Sequence, residues 1–312
     1  MNVLILGATG FIGSHICDLA VRNGWQVRIL IRPGSKSNQI TLPINVEIMH
    51  GDYKDKNIIE RALYKIEVIF HFISTTIPKS SNENKELDIV ENVIPLISLL
   101  DISVRSGVRK IIFSSSGGTI YGIPNKLPID ESHCTLPLTS YGIHKLTIEK
   151  YLNLYFYQHN LDYSVMRIAN PYGERQSPTG GQGVISVFMN NCINNQIVEI
   201  WGDGSVIRDY IHVSDVANAA VLLAKLNPSE KIFNIGCGQG RSLNELVSLI
   251  SKIVGKKLNV KYSQGRVIDV PVNILDITRA QTLLGWKPNV NINDGLTRTL
   301  EWFQSRNKNV TR

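Results

Sequence analysis

Two spacings in this chain could do chemistry: Tyr141 and Lys145 stand four apart, and Gly7, Gly10 and Gly13 stand three apart. On a helix, residues i and i+4 share a face. A tyrosine is a poor base at its reference pKa of about 10. A nearby ammonium favours the phenolate and lowers that value, so the pair is expected to exchange a proton with a substrate hydroxyl near neutral pH. A second hydroxyl gripping the same substrate oxygen would complete the set. Ser114-Ser115-Ser116 closes an apolar run at the place where such a donor belongs. Tyr-x-x-x-Lys alone is common on helix surfaces; the glycine run and the serines give it weight.

The glycines have the context that a dinucleotide site needs. An apolar run ending at Leu6 reads as a buried parallel strand, and apolar residues at helical spacing follow over Ser14 to Asn23. Strand, glycine turn and helix bring the backbone close to a pyrophosphate and offer it the free N–H groups of a helix N-terminus. The spacing is G-x-x-G-x-x-G, a variant of the G-x-G-x-x-G fingerprint. A tight strand–helix turn without a ligand is the competing reading. Together the motifs point to transfer of a hydride and a proton on a small alcohol or ketone.

The elements that must position these groups alternate. Strands are expected at Gln26 to Ile31, Val46 to Met49, Val68 to Ile73, Lys110 to Ser114 and Tyr163 to Ile168. Long helices are expected over 82–106, despite Pro95, and over 141–160. This is an α/β chain with a Rossmann-type, doubly wound parallel sheet and right-handed crossovers. Beyond Asn170-Pro171 the elements shorten and Gly, Asn and Pro become frequent. Residues 1–170 are expected to form the dinucleotide-binding domain, with part of 206–235 returning to it. Residues 171–312 should supply a smaller C-terminal substrate lobe over the carboxyl ends of the strands, where ligands bind in open sheets.

Composition narrows the class. The chain has 312 residues, 43% of them hydrophobic, enough for a sizeable core. No apolar run reaches bilayer-spanning length, and no charged segment precedes the first strand, so a cytoplasmic protein is expected. Cys17, Cys134, Cys192 and Cys237 are scattered without a metal-ligand pattern, and no metal is expected. The net charge of +7 is spread along the chain and gives little support to nucleic-acid binding.

Further segments carry a family resemblance: GATGFIGSH at 7–15, HGD at 50–52, SSSGGTIYG at 114–122, YGIHK at 141–145, RIANPYGERQ at 167–176, GQGVISVF at 181–188 and WGDGSVIRDYIHVSD at 201–215. The chain resembles the extended short-chain dehydrogenases/reductases of the nucleotide-sugar epimerase and dehydratase type, over nearly its whole length. The resemblance implies Tyr141 as acid/base, Lys145 on the nicotinamide ribose and Ser116 on the substrate oxygen. It implies Gly7, Gly10, Phe11, Ile12, Gly13, Asp52, Tyr53, Phe72, Ile73, Asn92 and Pro171 around the cofactor. It places Thr76, Asn170, Val184, Arg208 and Arg266 on a nucleotide-diphosphate sugar, the two arginines as a clamp for its pyrophosphate. It also implies a homodimer through the helices at 82–106 and 141–160, and a role in supplying sugars for surface polysaccharide.

Three departures shape the reading. The acidic residue that would grip the adenosine ribose is replaced by Arg32, in Ile31-Arg32-Pro33-Gly34-Ser35-Lys36; an arginine there accommodates a 2′-phosphate, so NAD(H) or NADP(H) is expected, with Arg32 favouring NADP(H). Stacking on adenine is the alternative role for Arg32. Ser116 stands five residues before Tyr121, where the family pattern has its hydroxyl four before; Ser115 and Thr119 are therefore rivals, and a local bulge could restore the geometry. Gly117-Gly118 stands near the place where family dehydratases have Thr-Asp-Glu, which argues against water elimination. A 4-epimerase of UDP-hexose type is the favoured reading. A NADPH-dependent 4-keto-6-deoxyhexose reductase and a non-catalytic dinucleotide-binding regulator are the alternatives.

Overall fold

The structure is a computed structural model that describes residues 1–34, 42–179, 182–265 and 270–310. Its main sheet has seven parallel strands: β1 (Asn2–Leu6), β2 (Gln26–Ile31), β3 (Val46–His50), β4 (Val68–His71), β5 (Lys110–Ser116), β6 (Asp162–Ile168) and β10 (Ile232–Ile235), in the order β10-β6-β5-β4-β1-β2-β3. The order reverses between β1 and β4, and crevices form at such a switch point. Both faces of the sheet are covered. Accordingly Val3, Leu4, Ile5 and Leu6 are all fully buried, and β1 reads as a continuous apolar run without alternation.

One face packs on α1 (Phe11–Arg22) and α8 (Val213–Lys225), the other on α2 (Lys56–Ala62), α5 (Ile94–Arg105) and α6 (Ser140–His159). Helix α1 starts at Phe11, three residues before the expected start, because Gly10 in extended conformation serves as its N-cap. Strand β4 ends at His71, leaving Phe72 and Ile73 in the loop beyond it.

The single helix expected over 82–106 is in fact three helices and a π turn. Helix α3 (Pro78–Glu83) ends at Asn84 (φ −140°, ψ 89°), whose side chain then caps α4 (Lys85–Asp88) at the Leu87 N–H, 2.9 Å away. Asn competes with helical backbone in this way and favours caps. The π turn Ile89–Val93 follows, immediately before α5 and Pro95. A proline ring clashes with the carbonyl four residues back; the wider π turn accommodates it without ending the helix.

The smaller lobe has its own core. Tyr172, Ile185, Phe188 and Met189 from β7 (Asn170–Tyr172) and α7 (Val184–Ile193) meet Leu246 and Ile250 of α9 (Leu243–Val254) and Leu296 of α11 (Ile292–Val310). The remaining strands are short: β8 (Val198–Trp201) pairs with β12 (Val260–Ser263), and β9 (Ile207–His212) pairs with β7, β11 (Gly240–Ser242) and β13 (Val272–Asn273). Helix α10 (Thr278–Leu284) and Trp286 pack back on the main-sheet core.

Candidate functional site

A cleft of about 910 Å³ runs along the carboxyl edge of the sheet and under the smaller lobe. The glycine turn forms one end. Gly7 has φ +94°, and a Cβ there would stand 2.6 Å from the Phe72 carbonyl oxygen. A Cβ at Gly13 would stand 2.1 Å from the Gly7 carbonyl oxygen, so the third glycine lets α1 pack onto the turn. Gly10 provides no side-chain cap, which leaves first-turn N–H groups of α1 facing the cleft. A close-packed glycine turn under an uncapped helix N-terminus fits a dinucleotide pyrophosphate.

The three candidate hydroxyls have different surroundings. Side chains alternate along β5. Ser115 points into the core, where its Oγ donates to Glu149 Oε1 at 2.5 Å; Glu149 in turn pairs with Arg167 at 2.7 Å. Ser115 borders the cleft but its hydroxyl is committed elsewhere. Ser116 and Thr119 line the cleft, and Thr119 Oγ1 is buried without a partner. No bulge restores the family spacing. Instead the chain turns at Gly117, where a Cβ would collide with Leu275 Cδ1 at 2.6 Å and Asn273 Nδ2 donates to the carbonyl at 3.1 Å.

Tyr141 and Lys145 share the cleft-facing side of α6. Lys145 Nζ donates to the Ser114 carbonyl at 2.9 Å and stands 4.9 Å from the Phe113 ring and 5.4 Å from the Tyr141 ring. Burial lowers the Lys145 amine to about 8. The expectation of a lowered phenol is overturned: burial, helped by the Asp88 carboxylate, raises Tyr141 to about 12. Desolvation of the phenolate outweighs the ammonium one turn along α6, whose Nζ donates to the Ser114 carbonyl of β5.

A polar network behind α6 escaped the sequence reading. Ser81 Oγ accepts the Tyr141 N–H at 3.0 Å and Asn82 Oδ1 accepts the Ser140 N–H at 2.9 Å, so α3 caps α6. At the centre is Asp88, fully buried, which receives Thr76 Oγ1 at 2.5 Å, Ser140 Oγ at 2.9 Å and His144 Nδ1 at 2.9 Å. Burial pushes the Asp88 carboxyl up, and these hydrogen bonds outweigh it, holding the group below the usual carboxylate range. Burial and the neighbouring Lys145 press His144 down to about 4, leaving a neutral ring. Asn82 and Asp88 had no legible signal, since they lie in what reads as one amphipathic helix.

Of the residues named from the sequence, Gly7, Gly10, Phe11, Ile12, Gly13, Phe72, Ile73, Ser116, Tyr141, Lys145, Asn170, Pro171, Val184 and Arg208 line the cleft together. Thr76 does not: its hydroxyl is turned into the Asp88 network. Asn92 does not either; its Oδ1 accepts the Thr75 N–H at 3.0 Å and its Nδ2 donates to Thr76 and Asp88, so it braces the loop after β4. Tyr53 sits behind the cleft with its hydroxyl 3.0 Å from His71 Nε2. Arg32 is exposed just after β2 and Asp52 lies just after β3, at the same sheet edge but outside the cleft lining. Arg266 lies outside the described residues. Lys79, Glu199, Trp201 and Tyr210 line the cleft and were not anticipated. Among the described residues no His, Cys, Asp and Glu cluster could hold a metal ion, and no helix is long and apolar enough to cross a membrane.

Residues 3–236 match the NAD dependent epimerase/dehydratase family. A UDP-glucose 4-epimerase of Mycolicibacterium smegmatis is 34% identical over 99% of this chain and 100% of its own length. The crystal structure of a UDP-glucose 4-epimerase of Thermotoga maritima with UDP-glucose superposes with a TM-score of 0.93 at 36% identity, covering 98% of this chain and 99% of that one. That of a Thermus thermophilus UDP-glucose 4-epimerase with NAD gives a TM-score of 0.90 at 30% identity, covering 97% and 99%. The chain belongs to the NAD-dependent epimerase/dehydratase family, within the extended short-chain dehydrogenases/reductases. It is an enzyme with that family's Rossmann fold, and a nicotinamide dinucleotide is its cofactor.

Proposed function

We propose that the protein is a nucleotide-sugar 4-epimerase acting by transient oxidation at the sugar C4. The observation that carries this reading is the meeting of the glycine turn, the Tyr141–Lys145 pair and Arg208 in one cleft, in a chain similar over its length to UDP-glucose 4-epimerases. Bound nicotinamide supplies the hydride acceptor and donor. Gly7, Gly10, Phe11, Ile12 and Gly13 hold the dinucleotide pyrophosphate, with Phe72, Ile73 and Pro171 as walls of its site. Asp52 and Arg32 serve the adenosine end, and Tyr53 backs the site through His71. Tyr141 takes the C4 hydroxyl proton and returns it, Lys145 holds the cofactor ribose and supplies positive charge, and Ser116 orients the reacting oxygen, with Thr119 as its rival. Asn170, Val184 and Arg208 receive the nucleotide sugar, which assigns substrate binding chiefly to residues 171–312 and cofactor binding to residues 1–170 with the returning α8 and β10.

Among the described residues lining the cleft, Glu199 is the only carboxylate, and it stands on β8 in the smaller lobe. Tyr141 thus has no acid partner for water elimination, which supports epimerisation over dehydration. Arg32, exposed at the end of β2, supports NADP(H) as the preferred dinucleotide and keeps the 4-keto reductase as the second reading. The homodimer rests on the exposed Ile89, Val90 and Ile94 beside the exposed Ile143, Leu154 and Tyr157 of α6. A substrate and a cofactor of this kind imply a cytoplasmic protein.

Product analysis of UDP-glucose, UDP-galactose and their N-acetyl forms tests the assignment. Interconversion of C4 epimers without net NAD(P)H consumption is the expected result. Stoichiometric NADPH oxidation with a 4-keto-6-deoxy nucleotide sugar, and no epimer from the others, would hand the case to the reductase.

A further inference from the structure

The buried carboxylate of Asp88 lies behind the Tyr141–Lys145 pair. One fully buried carboxylate gathers side chains from three separate segments: Thr76 from the loop after β4, Asn92 from the π turn, and Ser140 and His144 from the first two turns of α6. Isolated charges are costly to bury, and the hydrogen bonds this carboxylate receives come from side chains, not from backbone left to be capped. The two residues it grips on α6 bracket Tyr141, and His144 directly precedes Lys145. The His144 and Tyr141 rings meet edge to face at 5.0 Å between centroids.

We propose that Asp88 is a positioning residue for the Tyr141–Lys145 pair: through Ser140 and His144 it sets the rotation of the first turns of α6, and its fixed negative charge keeps Lys145 an ammonium. The inference rests on the role given to Tyr141 and Lys145 in the proposed function. The charge part follows from the surroundings of Lys145. Desolvation opposes its ammonium, and the carboxylates acting against that are Asp88 and Glu149. Glu149 is engaged by Arg167 at 2.7 Å and by Ser115, so its charge is largely neutralised. His71, buried across the small cavity behind Lys145, and His144 are both held neutral by burial. Tyr53, on the same cavity, is pushed further from ionising. Glu91, on the same cavity, is paired with Lys54 at 2.8 Å, which among the described residues leaves Asp88 as the carboxylate without a cationic partner on this side of the pair. With Asp88 ionised, His144 Nδ1 carries the proton it donates, and the ring transmits orientation without adding charge.

The test reads charge and geometry separately. The charge part uses the ligand-free full-length protein with ¹³Cε-labelled lysine, the Lys145 signal being identified by its loss in Lys145→Met. Asp88→Asn should move the Lys145 titration midpoint to lower pH by about half a unit or more, since a charge is removed and the shape kept. The alkaline limb of kcat/KM should move the same way, and kcat should fall by about tenfold or more. An unchanged Lys145 midpoint in folded Asp88→Asn protein overturns the charge role. Ser140→Ala removes one α6 contact and leaves the carboxylate: kcat should drop several-fold with KM and the Lys145 midpoint unchanged, and full kcat overturns the positioning role even where Asp88→Asn does not fold. If the wild-type protein turns over no nucleotide sugar, the proposed function fails, while the lysine titration still decides whether Asp88 sets the charge on Lys145.

Discussion

At the scale of single residues, the site is a contest between burial and charge. In the proposed reaction Tyr141 loses a proton in a place that raises its phenol to about 12, beside an amine lowered to about 8. Substrate and cofactor binding must therefore complete the environment that makes the phenol useful. Tyr141→Phe keeps the ring and removes the proton-carrying oxygen. Turnover is expected to fall by about 10²-fold or more, with dinucleotide binding retained, as measured by steady-state rates and cofactor titration. The Lys145 value also sets a sign. Below pH 8 the amine is charged, and above it the charge is lost, so kcat/KM should decline with rising pH from near that point. A profile flat well beyond it would separate Lys145 from the reaction. Ser116→Ala and Thr119→Val, compared by kcat, settle which hydroxyl serves the substrate; the larger loss is expected for Ser116.

At the scale of elements, the backbone is held by contacts that permit little change. The Gly13 position illustrates this, since a methyl there would stand 2.1 Å from one backbone atom of the Gly7 turn and 2.6 Å from another. Neither atom belongs to a side chain that could swing away. Gly13→Ala should separate α1 from the turn and weaken dinucleotide binding at least about tenfold, or about 1.4 kcal/mol, by calorimetric titration. The β6–α6 contact is held differently, by Arg167 and Glu149, whose side chains are 4% and 2% exposed. Removing one partner strands the other's charge in the core. Glu149→Ala is expected to cost about 3–5 kcal/mol in urea unfolding, while leaving the cleft residues themselves intact.

At the scale of the whole molecule, the cleft and an exposed apolar patch lie on different surfaces. The cleft lies between the main sheet and the smaller lobe, so its two walls are built on separate cores. On another surface, Val90 and Ile94 are 48% and 51% exposed, next to the apolar residues of α6. Val90→Glu with Ile94→Glu should convert a dimer to a monomer in light scattering, with little loss of fold by circular dichroism. A wild-type protein that is already monomeric would remove the dimer from the proposal.

The sequence by itself determined the parallel sheet, the glycine turn and the approach of Tyr141 to Lys145, because each rests on local spacing: continuous apolar runs, residues without Cβ, and an i, i+4 pair. It also carried the family. What it left open were matters of direction and long-range contact. Ser115, Ser116 and Thr119 are equivalent as letters; strand alternation turns the Ser115 hydroxyl to the distant Glu149. Thr76 and Asn92 read as ligand contacts, and in the structure they hydrogen-bond to Asp88, a residue that looked like one more polar position on a helix. The break at Asn84 and the π turn before Pro95 depend on what α3 and α4 pack against. Even the direction of the Tyr141 shift came from tertiary structure, since burial is a property of the fold and outweighs the neighbour that local spacing supplies.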